Sequence, residues 1–339
     1  MFKEKVLKIV KKIPPGDFLT YKEVAKLAGN EKAYRVVANI LAKNKDSNIP
    51  CHRVIRNDNL VGEYKGREDL DWMKAAMLLK EGAIGVIPTD TIYGICTSAF
   101  NKKSVEKVYK LRKRNPNKPC IILISSLEDL KKFNIRLTLW QKNILEKLWP
   151  GKISVILSTR IKRPNILPES SDRMELTRIE QPNNNYPKKR PNDIPEYKPN
   201  ETQKFSPNSG NSFGPHSGSN KEFGQNSGKI FGYHSGNNLY YLHRGTNSLA
   251  FRLPKNKLIL NILKISGPLI APSANWEGYE PAKNIKEAKK YFGNKVFYLD
   301  RGDLISKPSS LIDLRAKKIK ILREGEGIKK IKRVLKHYI

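Results

Sequence analysis

Ala83-Ile84-Gly85-Val86-Ile87-Pro88-Thr89-Asp90-Thr91-Ile92-Tyr93-Gly94 is the stretch on which the fold turns. Its first six residues are apolar without alternation, the pattern of a strand buried on both faces of a sheet. Hydroxyls and a glycine follow at the strand end, where α/β domains place ligands and where glycine lets a backbone or a ligand approach closely. A plain turn is the bland alternative. Upstream, Leu70, Met73, Ala76 and Met77 fit a helix that leads into the strand. Downstream the pattern predicts a helix over 104–112, a strand over 120–125, helices near 127–133 and 139–148, and a strand over 153–157. The alternation resumes with a strand over 249–253, a helix over 257–265, a strand over 268–271 and a helix over 285–291. Strands at 296–299, 310–313 and 319–322 complete it. The fold class is therefore α/β, built on a large sheet with helices.

Between the two halves, over 162–238, the periodicity vanishes. Pro, Asn, Ser and Gly dominate, with a degenerate repeat of Asn208-Ser209-Gly210, His216-Ser217-Gly218, Asn226-Ser227-Gly228 and His234-Ser235-Gly236. Such a composition cannot bury enough apolar surface to offset its ordering entropy. The stretch reads as a disordered low-complexity insertion inside the α/β domain, which spans 71–328. A basic tail is expected over 329–339.

Before the α/β pattern lies a compact helical unit, residues 1–70, with the helix over 70–82 shared between the two. Val6, Ile9, Val10 and Ile13 recur at helical spacing until Pro14-Pro15-Gly16. Thr20 can cap a second helix over 21–28, ended by Gly29, and Asn30 a third over 31–43. Two short helices joined by a tight Gly-Asn turn form a helix-turn-helix pattern. Val36, Val37, Ile40 and Leu41 are expected as the buried stripe of the third. Lys32, Arg35 and Asn39 form another face that could enter a DNA groove, or simply be solvated.

Lys and Arg number 65 against 32 Asp and Glu, a formal charge of +33, which favours polyanions such as tRNA, DNA or a nucleotide, or else reflects a biased composition. Cys51, Cys96 and Cys120 are the only cysteines, too few for a disulfide framework or a cysteine-based zinc site, so a reducing, cytoplasmic setting is expected. No run of about 18 apolar residues exists, and the amphipathic start does not read as a secretory signal. No membrane partner is expected.

Two constellations carry chemistry. The first is Ile49-Pro50-Cys51-His52-Arg53-Val54. A lone cysteine is normally a small buried hydrophobe. One followed by His and Arg can be a reactive thiolate, because positive neighbours lower its pKa. Residues 6–82 around it resemble the DNA-binding, catalytic domain of O6-alkylguanine-DNA alkyltransferases. That resemblance implies that Cys51 takes the alkyl group irreversibly from a flipped guanine in double-stranded DNA. His52, through a water, and Glu81 would generate the thiolate, and Asn44 would brace the loop. Arg35 would fill the gap left by the base, Tyr21 would help rotate its phosphate, and Arg53 would join the DNA-binding set. Short relatives that sense lesions without repairing them typically carry Trp where this chain has Cys51. They leave a non-enzymatic lesion-binding module as the alternative.

The second constellation comprises the stretch after Pro88, the basic run Arg112-Lys113-Arg114-Asn115-Pro116-Asn117-Lys118-Pro119, Ala271-Pro272-Ser273-Ala274-Asn275, and Arg252 and Arg323 near strand ends. The cations could neutralise a triphosphate. No Walker loop or paired-glycine fingerprint is present, which argues against a kinase or a dehydrogenase. Over 70–158 and 240–328 these motifs, in order, resemble the YrdC-like L-threonylcarbamoyladenylate synthases. That resemblance implies a twisted sheet around a deep, positively charged cavity. The implied reaction takes ATP, L-threonine and bicarbonate to threonylcarbamoyl-AMP and pyrophosphate, with Mg²⁺ carried on ATP, no metal held by a side chain and no zinc. Arg112, at the place of the family's usual Lys, Arg114, Pro272, Ser273, Asn275, Arg252, Ser309, Ser310 and Arg323 would bind the nucleotide. Thr89, Thr91 and Tyr93 would line the threonine end. tRNA or a downstream threonylcarbamoyl transferase would be the partner. An RNA-binding protein of this fold without synthase activity is the other alternative.

Overall fold

The structure, a computed structural model, describes residues 1–159 and 239–336, so the low-complexity stretch 162–238 lies outside the described residues. The N-terminal unit contains α1 (Phe2–Lys11), β1 (Leu19–Thr20), α2 (Tyr21–Leu27), α3 (Tyr34–Ala42) and β2 (Val54–Ile55), with β1 and β2 paired in parallel. Thr20 and Glu23 start α2 with a reciprocal capping box: the Glu23 amide donates to Thr20 Oγ1 at 3.2 Å, and the Thr20 amide to Glu23 Oε2 at 2.6 Å. Gly29, at φ +96°, reverses the chain behind α2, a conformation other residues adopt at a cost. Asn30 then caps a single 3-10 turn, Glu31–Ala33, before α3, where one continuous helix is expected from the sequence. The buried stripe of α3 is also narrower than expected. Val37 and Leu41, four residues apart, are buried and Ile40 is half-buried, but Val36 is 49% exposed. Val36 lies about 100° around the helix from Val37 and so falls off the inward face.

The α/β part runs α4 (Asp71–Lys80), β3 (Gly85–Pro88), β4 (Tyr93–Ser98), α5 (Lys102–Leu111), β5 (Ile121–Leu123), α6 (Leu139–Leu148) and β6 (Ile153–Ser158). After the interruption come α7 (Tyr240–His243), β7 (Ser248–Arg252), α8 (Lys257–Ser266), β8 (Leu269–Ile270) and α9 (Ile285–Phe292). β9 (Phe297–Tyr298), β10 (Ser310–Asp313), β11 (Lys320–Arg323) and α10 (Ile328–Leu335) follow. Nine strands form one mixed sheet in the order β11-β10-β6-β7-β5-β8-β4-β3-β9. Its pairs β10/β6, β5/β7 and β3/β9 are parallel and the others antiparallel.

Two features differ from the sequence expectation. Tyr93–Ser98 is a strand, antiparallel to β3, where the sequence pattern assigns no element before the helix over 104–112, so the Thr-Asp-Thr segment is the tip of a tight hairpin. All six residues of β4 are buried, which removes the alternation that would have marked it. Of the stretch expected as a basic tail, residues 329–335 are helical. Ile331 and Val334 of α10 are buried, and the helix packs on α6, because apolar residues recur there at helical spacing between the lysines.

The N-terminal unit and the sheet share a core. Ala75, Ala76, Leu78 and Leu79 of α4 share one buried cluster with Ile55 and Val61 and with Ile259, Ile262 and Leu263 of α8. Residues 59–61 also extend the sheet at its β9 edge: the Val61 amide donates to the Tyr298 carbonyl and the Tyr298 amide to the Asn59 carbonyl, both at 2.9 Å. The edge is thereby covered. Asp71, at the start of α4, holds Arg301 behind β9 in a bidentate ion pair at 2.6 and 2.8 Å.

Candidate active sites

Cys51 opens a 3-10 turn, Cys51–Arg53, that lies against α4. Asn44, just beyond α3, donates from Nδ2 to Cys51 Sγ at 3.3 Å and to the Asp46 carbonyl at 3.0 Å, tying the thiol to the helix-turn-helix. His52 Nε2 lies 2.9 Å from Glu81 Oε1. Arg53 donates to both Glu81 oxygens, from Nε at 2.8 Å and Nη2 at 2.9 Å, and from Nη1 to the Ile13 carbonyl. Burial alone would raise the Glu81 carboxyl, but the hydrogen bonds with His52 and Arg53 outweigh it and hold the group down at about 2.

Two expectations are corrected here. Arg53 is not a DNA-facing cation: its guanidinium is spent on Glu81 and Ile13, and its side chain is only 13% exposed. Nor do cationic neighbours leave Cys51 with a lowered pKa. Burial raises the thiol, against weaker opposing effects of the Asn44 hydrogen bond and the charge of Lys74.

Lys74 escaped the sequence reading. It lies on α4 seven residues before Glu81, two turns along the same face, and that spacing could have found it. It is buried, with Nζ 3.3 Å from the Glu63 carbonyl and 3.5 Å from Tyr21 Oη. Burial pulls its ammonium down to about 7, against the charges of Cys51 and Glu63. Burial, Glu63 and Cys51 together push the Tyr21 phenol up to about 12. Tyr21, Asn44, Cys51 and Lys74 thus form one cluster, beside the Glu81 clasp. Arg35 sits on α3, exposed, beside the Tyr34 ring.

The second group is assembled by the β3–β4 hairpin. At its tip the Thr89 amide donates to the Ile92 carbonyl at 3.2 Å, and Thr89 Oγ1 lies 3.3 Å from Thr91 Oγ1. Gly94 joins this tip to the segment after β8. A Cβ there would lie 3.3 Å from the Thr89 methyl and 3.4 Å from the Pro272 carbonyl, and Gly94 is bridged to Ser273. Arg112, buried at the end of α5, donates from Nη2 to Ser273 Oγ and Asn275 Oδ1, and from Nε to the Asn275 carbonyl, all at 3.1 Å. Asn275 is itself held by bonds from Nδ2 to the Trp276 and Tyr279 carbonyls at 2.7 Å. Burial and the charge of Arg114 bring the Arg112 guanidinium down to about 10, and its Nη1 is buried without a hydrogen bond to any described residue. Arg114 is turned to the Lys118 and Pro119 carbonyls.

On the other side of the tip, Arg252 Nη1 donates to Thr91 Oγ1 at 3.2 Å, and Nη2 lies 3.0 Å from Asp90. Asp90 too was missed, although it stands between the two threonines. Arg323 bonds the Ser309 carbonyl from Nε at 2.9 Å and Ser309 Oγ from Nη2 at 3.3 Å. Ser309 Oγ in turn lies 2.9 Å from Ser154 Oγ, and Ser310 Oγ is tied to Gly325. Burial lowers both the Arg252 and Arg323 guanidinium pKa values, and the charge of Arg252 lowers that of Arg323 further. Tyr93 Oη donates to the Gly302 carbonyl at 2.8 Å and lies 3.3 Å from Asp300 Oδ1. The hairpin tip thus links Thr89, Thr91, Arg252, Ser273 and Arg112 through a run of contacts, and Tyr93 starts its return strand.

The family described as telomere recombination (Sua5, YciO and YrdC) matches residues 77–176 and 235–325, more than half of the chain. The chain belongs to this family. Residues 1–83 match the DNA-binding domain of 6-O-methylguanine DNA methyltransferase. A putative threonylcarbamoyl-AMP synthase of Methanocaldococcus jannaschii is 33% identical over 107 residues, 32% of this chain and 50% of that one. A methylated-DNA–protein-cysteine methyltransferase of Rattus norvegicus is 46% identical over 63 residues, 18% of this chain and 29% of that one. The chain spans half or less of the length of such curated relatives. Pyrococcus abyssi Sua5, solved in complex with L-threonine, shares the fold at a TM-score of 0.50 and 19% identity, over 76% of this chain and 55% of that one. Among the described residues no helix is long and apolar enough to cross a membrane.

Proposed function

We propose that the α/β part of this Sua5/YciO/YrdC family member is a threonylcarbamoyl-AMP synthase. It joins ATP, L-threonine and bicarbonate into threonylcarbamoyl-AMP, pyrophosphate and water, for transfer to tRNA. The observation that carries this reading is the set of buried arginines around the hairpin tip. Arg112 and Arg252 each keep a buried guanidinium nitrogen with no hydrogen bond among the described residues, and the charge of Arg252 lowers the pKa of Arg323. Buried cations with unfilled donors are stabilised by a polyanion. Arg112, Arg252 and Arg323, with Arg114 at the rim, would hold the phosphates. Pro272, Ser273, Asn275, Ser309 and Ser310 would set the arginine geometry and face the nucleotide. Thr89, Thr91 and Tyr93 would line the threonine end. Catalysis here is positioning the carbamate against the α-phosphate and stabilising the charge that develops. Among the described residues no cluster of three or more His, Cys, Asp or Glu side chains could hold a metal ion. Magnesium would arrive on the triphosphate and screen its charge. The test is pyrophosphate release by the purified chain: it should require ATP, L-threonine and bicarbonate together. Release that ignores threonine would refute the reading.

We further propose that the N-terminal unit transfers alkyl groups from guanine O6 in duplex DNA to Cys51. The bonded pairs Asn44–Cys51 and His52–Glu81 support it. Glu81 would keep the His52 ring oriented and stabilise it when, through a water, it takes the thiol proton. Lys74 would offset the charge of the thiolate, while Arg35 replaces the flipped base and Tyr21 turns its phosphate. The thioether formed does not leave, so each chain would act once. Intact-mass measurement after incubation with an O6-methylguanine duplex should show one added methylene, lost in Cys51→Ser. Lesion-selective binding without a mass shift would make the unit a sensor instead.

A further inference from the structure

Phosphate recognition does not account for the carboxylate at the hairpin tip. Asp90 stands between Thr89 and Thr91 with its side chain 5% exposed. Both its oxygens are sealed from solvent, and neither accepts a hydrogen bond from any described residue. Arg252 Nη2 lies 3.0 Å from Oδ1, close enough for charge attraction but off the line a hydrogen bond needs. A carboxylate offers about four acceptor positions, and leaving them empty away from water is destabilising. The energetic problem is therefore a missing donor, not a missing acceptor.

The ligand chemistry narrows the choice of donor. Triphosphate and bicarbonate are anions. Asp90 repels them and weakens Arg252 as their counter-ion. For an anion site alone the carboxylate is a liability. An amino acid is different, because it brings a compact cation with three N–H donors next to an anionic carboxylate. Other carboxylates nearby are already committed. Asp300 is exposed, and its Oδ1 accepts the Gly302 amide at 2.9 Å and lies 3.3 Å from Tyr93 Oη. Glu277 accepts from the Asn115 amide and from Lys118. Asp90 is the buried carboxylate at the tip with its acceptors empty.

We propose that Asp90 receives the ammonium group of the amino-acid substrate, so that the hairpin tip reads the amine while the arginines hold the anionic groups. The proposal rests on the synthase reading above. It makes Asp90 a specificity determinant. A substrate with hydroxyl in place of the amine brings no charge and at most one donor to the buried carboxylate, and sites built around a specific polar partner reject analogues that lack it strongly.

Calorimetric titration of the full chain, without magnesium, tests it. The probes are ATP, L-threonine and the deaminated counterpart of threonine, 2,3-dihydroxybutanoate of matching configuration. The wild-type chain should bind threonine at least about 30-fold more tightly than the hydroxy acid. In Asp90→Asn, threonine affinity should fall by about 30-fold or more, while ATP and the hydroxy acid bind as well as before or better, because Arg252 is released. General damage to the site would weaken all three probes, which this pattern excludes. A folded variant, recognised by its ATP binding, that keeps threonine affinity within a few-fold overturns the role of Asp90 and leaves the synthase reading standing. If the variant does not fold, the wild-type comparison decides: equal binding of threonine and the hydroxy acid overturns the proposal. A wild-type chain that binds neither ATP nor threonine removes the synthase reading and this proposal with it.

Discussion

Glu81 is the clasp between the cysteine turn and α4, and replacing it by Gln removes its charge while keeping its shape. The carboxyl is held at about 2 against an ordinary 4.5. For a fully sheltered group that difference corresponds to about 3 kcal/mol of stability at neutral pH. Part of the Glu81 carboxylate meets solvent, its side chain being 22% exposed, and screening brings the expected figure to about 2 kcal/mol. The sign follows from the direction of the shift. Because the folded pKa lies below the unfolded one, the stabilisation is complete above 4.5 and is lost as the pH falls from there toward 2. Urea unfolding of wild type and Glu81→Gln should therefore differ by about 2 kcal/mol at pH 7 and by about 1 kcal/mol at pH 3.5. Alkyl transfer to Cys51 should slow in the same variant. A stability gap below about 0.5 kcal/mol at pH 7, or one that does not shrink on acidification, would refute the reasoning.

Asn275→Ala should lower threonine-dependent pyrophosphate release by about 100-fold, because Arg112 loses the side-chain oxygen that aims it. A change under about three-fold in saturating substrate would mean that Arg112 is held by Ser273 and the backbone alone. Gly85→Ala places a methyl 2.2 Å from the Phe297 ring, which packs edge-on against Phe18 of the N-terminal unit at 6.2 Å. Overpacking there should cost about 1–3 kcal/mol in urea unfolding. Unchanged stability would mean that this shared core yields freely.

Much of the site was legible from local sequence, because the groups that carry it come in short runs. Thr89 and Thr91 lie two residues apart, as do Ser273 and Asn275, and Cys51, His52 and Arg53 are consecutive. Each run meets its partner only through the sheet. Arg112 binds Ser273 and Asn275 across more than 160 positions of chain, and Arg252 reaches Thr91 over a similar gap. Periodicity reads one element at a time, so it could announce these residues without saying which would touch. It also failed at β4, where burial of every residue erased the alternation.

What the sequence determined by itself is the set of elements and the chemistry on offer: a helix-turn-helix with a cysteine, an α/β sheet, and arginines among hydroxyls. Local propensity, caps and binary pattern decide those within a few residues of chain. Tertiary structure decided how each group is used. It turned Arg53 inward onto Glu81, raised rather than lowered the Cys51 thiol, set Lys74 against Tyr21, and left Asp90 buried with its acceptors unfilled. Charge, burial and hydrogen bonding act through space, and the distances that fix them exist only once the chain has folded.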